Sequence, residues 1–456
     1  MEISERIKTQ SIPKLIIGLS APAIFSLLLY ALNTAIDGMF VAKSVGTTAL
    51  SAITVSSGIG LIIQAISMLI AAGSSAAIAL KLGKSDKDGA EKIIGNAFMF
   101  SILFSLATTL IGLLTIKPLL SLYGANPENI GYAKEYIAVI ISGSFFFISA
   151  QAMNNCIKGM GYTKKAFINS LSNVVTNTIL DAVFIFVFKW GVFGAALATV
   201  IGNAVCMLLA IRFLSSKKCI ANLKTGNLRI DKETVKNILL IGIPAFIMQF
   251  ALSLVSLTFN HVAAFHGGNV AVASYGIMYN IIMMVYMPIM GLGQGIQPIF
   301  GYNYSSENYA RVKKTLKCSM TYATIFAVIM FIVIEIFSGT IVSAFGGITD
   351  SALADMAIPG IRLFCLTLPT IGFQLIAANY FQYVGKIKQS IILNALRQLI
   401  LLIPFVLLFP FIFGIKGIWL ATPIADFITF VITAVFIWHE IHFFNSQLLK
   451  SEGEII

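Results

Sequence analysis

Runs of about 20 apolar residues recur from one end of this chain to the other, separated by short polar loops. A helix of that length crosses the hydrocarbon core of a bilayer, so the pattern limits the chain to very few architectures. The runs are continuous rather than alternating, which excludes a membrane β-barrel. The residues are 58% hydrophobic and 11% charged, with a mean hydropathy of +0.90. A soluble domain carries about 25% charged residues. The sequence therefore predicts an all-α polytopic membrane protein. Twelve spans are expected, roughly at 15–40, 51–80, 93–116, 132–157, 166–188, 192–214, 237–265, 271–300, 316–345, 357–383, 389–412 and 417–443.

The formal net charge of +12 invites a nucleic-acid reading, but the placement of the charges argues against one. With twelve spans, 24 basic residues fall on one side, among them Lys14, Lys81, Lys158, Lys164, the linker after Arg212, and Arg311. Five fall on the other: Lys43, Lys117, Lys134, Lys189 and Lys416. Such asymmetry predicts insertion in the cell membrane with both termini cytoplasmic, and no nucleic-acid partner. Arg362 and Arg397 are left within spans. Five cysteines are scattered without a CxxC, so neither a disulfide framework nor a zinc site is indicated.

The two halves repeat each other. Pro22 and Pro244 are 222 positions apart, as are Gly73 and Gly295. WGVFGAALATVIGN (190–203) aligns with FGIKGIWLATPIAD (413–426) at a spacing of 223, pairing Thr199 with Thr422 and Asn203 with Asp426; Gln151 and Gln374 keep that spacing. This predicts a six-helix lobe at 1–214, a cytoplasmic linker at 215–236, and a second lobe with its tail at 237–456. Six spans per half make the repeats parallel, with a site between or within them.

Four acids fall within spans: Asp37, Asp181, Glu335 and Asp426. An Asp at the centre of a membrane helix costs about 2.5–3.5 kcal/mol, and such residues mark ion or substrate pathways. Asn169, Asn173, Asn177 and Asp181 recur every four residues, forming one polar stripe on span five. Hydrogen bonding between helices is the structural alternative for Asn169 and Asn173, and also for Asp37 and Asp181. Thr199 and Asn203 are one turn apart on span six, at the depth of Asp181. Asp37 lies late in span one, beyond Pro22, where the helix can bend. Two such carboxylates repel when both are charged, so the pair titrates as a unit and can take up one proton or hold one small cation. Asp, Asn and Thr oxygens suit a hard ion such as Na⁺ at Asp37, Asn177, Asp181 and Thr199. Adding 223 to Asp181 reaches Pro404, so the acids are expected to lack counterparts in the second half. Asp426 is a secondary candidate or a structural hydrogen-bonding acid, and Glu335 is expected at the interface.

The stretches SIPKLIIGLSAPAIFSLLLYALNTAIDGMFVAKSVG, NNCIKGMGYTKKAFINSLSNVVTNTILDAVFIFVFKWGVFGAALAT, GLGQGIQPIFGYNYSSENYARVKK and LRQLILLIPFVLLFPFIFGIKGIWLATPIAD together resemble the multidrug and toxic compound extrusion (MATE) family, in its MepA-like subgroup. The resemblance covers nearly the whole chain. It implies two pseudo-symmetric six-helix bundles that open in a V toward alternating sides. It also implies a cation site at Asp37, Asn177, Asp181, Ala195 and Thr199, with Asn154 as a further member, and a bend point at Pro22. Acids found on spans seven and ten in some relatives are missing here.

The sequence shows no HExxH, GxSxG, P-loop or nucleotide fingerprint, so no cofactor and no enzymatic step are expected. The expected function is a monomeric antiporter exporting organic, mainly cationic, compounds in exchange for Na⁺ or H⁺. A lipid-linked oligosaccharide flippase is the nearest alternative; an integral membrane enzyme and a channel are more distant. The carboxylates serve Na⁺ and H⁺ alike, and the sequence does not choose between them.

Overall fold

The computed structural model describes residues 3–344 and 351–453, and all regular secondary structure there is helical. Nine helices among the described residues are long and apolar enough to cross a bilayer, and two bent pairs qualify as broken spans. One of the nine, Lys232–Ser305, has 74 residues. At a rise of 1.5 Å per residue it would run roughly 110 Å, far beyond one crossing. It is interrupted at Gly268, where φ 62° and ψ −157° lie outside the helical region and favour a residue without Cβ. It therefore supplies two crossings, consistent with the twelve expected.

Two of the spans are broken. Ile130–Ser142 meets Ser144–Gly159 at 50°, and Ala352–Phe364 meets Leu368–Tyr383 at 52°. The first break falls at Gly143, packed so closely on Val200 that a Cβ would lie 2.3 Å from its side chain. The second precedes Pro369, which opens the next helix. The breaks sit at equivalent points of the repeat.

The repeat is most literal where the halves touch. A Cβ on Gly73 would sit 2.0 Å from the Ile238 carbonyl oxygen, and one on Gly242 would sit 1.9 Å from that of Leu69. The equivalent crossing lies between Gly295 and Ser20, where a Cβ would come within 2.3 Å of backbone. Between the two crossings, Ser75 Oγ and Gln297 Oε1 meet at 2.9 Å; these positions are themselves 222 apart and mark the pseudo-two-fold axis. All these residues lie in the span halves nearest the basic loops. Gly242→Val is expected to leave the protein inserted while forcing the halves apart there. Disulfide formation between Ser75→Cys and Gln297→Cys, in a background without the native cysteines, reports this contact. An unchanged yield in Gly242→Val would refute the steric argument.

The stretch read as a linker is docked rather than free. Glu91, 1% exposed, accepts from Asn222 N at 3.2 Å and pairs with Lys224 Nζ at 2.5 Å. Asp231 N donates to Asn96 Oδ1 at 2.7 Å. These contacts tie the stretch to the start of span three.

Candidate functional site

Span one runs as a single helix, Ile12–Ser44, through Pro22, with the Ser26 hydroxyl donating to the Pro22 carbonyl at 2.8 Å. It delivers Asp37 beside span five. There the α-helix Thr163–Asp181 ends on Asp181 and continues as a π-helical turn, Ala182–Val187. Such turns are rare and concentrate at functional sites. Span six, Gly191–Leu214, then packs antiparallel to span five and brings in Thr199.

These three helices assemble most of the expected cluster. Asn177 contacts Asp37 and stands one turn before Asp181 on span five, which brings the two carboxylates to one site. Asp181 is 0% exposed, and its Oδ1 has no partner. The Asn177 amide contacts Thr199 Oγ1 at 3.3 Å. With its terminal N and O exchanged, it donates to Asp37 Oδ1 at 3.0 Å and accepts from Thr199 N at 3.1 Å; this orientation satisfies both ends. Thr199 Oγ1 donates to the Ala195 carbonyl at 3.1 Å, placing Ala195 at the edge of the site.

Asn33 was missed by the sequence reading. Its Nδ2 donates to Asp37 Oδ2 at 3.2 Å, and its Oδ1 lies 2.7 Å from the exchanged Asn177 nitrogen. The four-residue spacing that marked Asn177 and Asp181 also links Asn33 to Asp37 and was the available signal.

Asn154 is not brought into this cluster. It donates to the Ala166 carbonyl at 3.1 Å and Ser170 Oγ at 3.2 Å, and accepts from Asn169 at 3.1 Å. Its contacts lie three turns of span five away from Asp181, toward the basic loops. Asn173 joins Asn203 at 3.0 Å. Asn33, Asn154, Asn173, Thr199 and Asn203 all border one first-half cavity of about 140 Å³.

The second half contains the equivalent cavity, of about 20 Å³, lined by Tyr286, Gln374, Arg397 and Gln398 among others. Asp426 belongs beside it. Arg397 Nε donates to Asp426 Oδ1 at 2.8 Å, Arg397 also bonds the Tyr286 hydroxyl, and Gln374 donates to the Asp426 carbonyl at 3.1 Å. This pair matches Asn173–Asn203 of the first half, with an offset of 224 on span eleven and 223 on span twelve. The offset is already 224 where the two helices begin, at Thr163 and Ile387, and falls to 223 by Gly191 and Gly414, so the second half is one residue shorter between these points. The position equivalent to Asp181 is thus Phe405 rather than Pro404. It still lacks an acid, but the second half does hold its own buried ionised pair.

Arg362 lines a separate cavity with Glu335 and Asp355 and is half exposed, 3.9 Å from Glu335. The two arginines within spans therefore do not share a cavity wall. No cluster of three His, Cys, Asp or Glu side chains suited to a metal occurs among the described residues.

A helical membrane scaffold of two repeated halves, each with a buried polar site within it, defines a transporter class of architecture. The comparisons name the family. The family model MatE matches twice, over 22–183 and 244–408, and the chain belongs to that family. The two matches begin on Pro22 and Pro244. "Multidrug export protein MepA" of Staphylococcus saprophyticus is 28% identical over 378 residues, covering 83% of this chain and 82% of that protein. MepA of Staphylococcus aureus is 28% identical over 416 residues, covering 91% and 90%. Among solved structures, the MATE multidrug transporter DinF-BH in complex with R6G is 33% identical, with a TM-score of 0.88 and coverage of 96% and 98%. A MOP superfamily transporter from Pyrococcus furiosus, 23% identical with a TM-score of 0.90 and coverage of 97% and 98%, shares the fold.

Proposed function

We propose that this chain is a secondary antiporter that exports organic, mainly cationic, amphipathic compounds in exchange for Na⁺ or H⁺ entering from outside. The observation that carries the reading is that Asp37 and Asp181 are gathered at one site by Asn177, where Asp181 is buried and its Oδ1 stands unpartnered. An unpaired buried carboxylate oxygen is costly, and a proton or small cation satisfies it. Asn177, Asn33 and Thr199 supply neutral oxygens for Na⁺, with Ala195 supporting Thr199. The pair binds its ion when open to the outside and gives it up when substrate is taken from the inside. Pro22 is the place where span one bends between the two states, moving Asp37 relative to Asp181.

The names of the MepA and DinF-BH relatives support export of multiple drugs. In this reading the protein acts as a monomer in the cell membrane with both termini cytoplasmic. The division at 215–236 separates two lobes that rock against each other, the docked linker moving with the first. No chemical step and no cofactor beyond the coupling ion are assigned. A flippase for pyrophosphate-linked lipids fits less well, because Arg397 is committed to Asp426.

Ethidium efflux from proteoliposomes with Na⁺ and pH gradients imposed separately tests the reading. One inward gradient is expected to drive efflux, which stops when that gradient is collapsed. Efflux indifferent to both gradients would overturn the coupling.

A further inference from the structure

Lys158, counted in sequence among the loop charges, is instead an interior residue. It lies in the last turn of Ser144–Gly159 and is 6% exposed. Its Nζ donates to Gln294 Oε1 at 2.9 Å. No carboxylate lies within ion-pair distance of it among the described residues. A buried ammonium facing a single neutral acceptor is expensive, and an anion relieves that cost. Lys158 borders the same first-half cavity of about 140 Å³ as Asn33, which in turn holds Asp37. Between them the walls are amides, including Gln151, Asn155 and Asn203, which donate and accept equally well. One cavity thus has an ammonium in its wall and, through Asn33, touches the Asp37 carboxylate.

We infer that Lys158 is an anion-recognition site, pairing with the carboxylate of an amphoteric organic substrate whose cationic part lies toward Asp37. The inference rests on the export reading and narrows its substrate class. The cavity has room for the charged end of such a molecule, and the apolar body extends beyond it. Gln294 comes from the second half, so its contact with Lys158 bridges the halves near the basic loops. When the halves part there, Lys158 loses its neutral partner and becomes available to a carboxylate arriving from that side. A free inorganic anion offers the same chemistry as a substrate carboxylate, so the test separates them.

Equilibrium binding of rhodamine B, which carries a free carboxyl, and of its ethyl ester is measured by fluorescence anisotropy on the protein in lipid nanodiscs. Lys158→Gln is expected to weaken rhodamine B binding by about tenfold or more, as for loss of a buried charge pair, and to leave the ester nearly unchanged. Lys158→Arg is expected to keep most of the rhodamine B affinity, and ester binding reports that each variant is folded. Equal losses for both dyes, no loss for either, or a wild-type protein that ignores rhodamine B would overturn the inference. So would a chloride-for-gluconate exchange that alters both dyes alike and loses its effect in Lys158→Gln, because the site would then serve a free anion. Binding needs no gradient, so failure of ion-driven efflux and failure of this site are read independently.

Discussion

Asp181→Asn is expected to reduce ion-driven ethidium efflux to the level of protein-free vesicles, with insertion and thermal stability close to wild type. Asn fills the same volume and can donate to a neighbouring oxygen, so the helices stay in place. It cannot change charge, and so the site loses the proton or cation that links its two states. Asp37→Asn should have the same effect, because the carboxylates act as one titrating unit. Their neighbours are placed to assist and not to replace them: Asn33 and Asn177 bond Asp37, and Thr199 anchors Asn177. The decisive measurement is efflux with each gradient in turn for both variants. Full efflux by both would remove Asp37 and Asp181 from the coupling role.

The largest effect on stability is expected at the other buried pair. Arg397→Met should destabilise the protein by about 3–5 kcal/mol, the usual result of stranding one member of a buried ion pair. Asp426 is 2% exposed, and its Oδ2 already lacks a partner, so removing the guanidinium leaves an uncompensated charge. The Tyr286 hydroxyl would lose its partner as well. Arg397→Met combined with Asp426→Leu should recover most of the loss, since an apolar replacement of both partners is often neutral or stabilising. Thermal unfolding of the detergent-solubilised variants measures both effects. A single variant as stable as wild type would show that Asp426 finds another partner. The second half is thus held by an ion pair at the point where the first half has only the neutral Asn173–Asn203 contact.

Much of the candidate site was legible because helical spacing exposes it. Asn177 and Asp181, or Thr199 and Asn203, fall on common faces one turn apart, and a short turn makes spans five and six neighbours. The same rule should have yielded Asn33 from Asp37, but an Asn in an apolar helix carries a weaker signal than an acid. Asn154 was included through family resemblance. It lies at another depth of the same first-half cavity, bonded to Ser170 and Asn169.

The sequence by itself determined the membrane class, the two-fold repeat and the first-half acids, because bilayer thickness, charge asymmetry and helical periodicity act locally along the chain. Only the tertiary structure decided which faces meet. It moved Lys158 from a loop into a cavity wall, because the depth of a helix end depends on what packs over it. It matched Arg397–Asp426 to Asn173–Asn203, because the repeat runs one residue out of step along span eleven, which a single fixed offset does not carry. It also placed Asp37 against Asp181, because bringing span one onto span five depends on how the helices pack across the lobe.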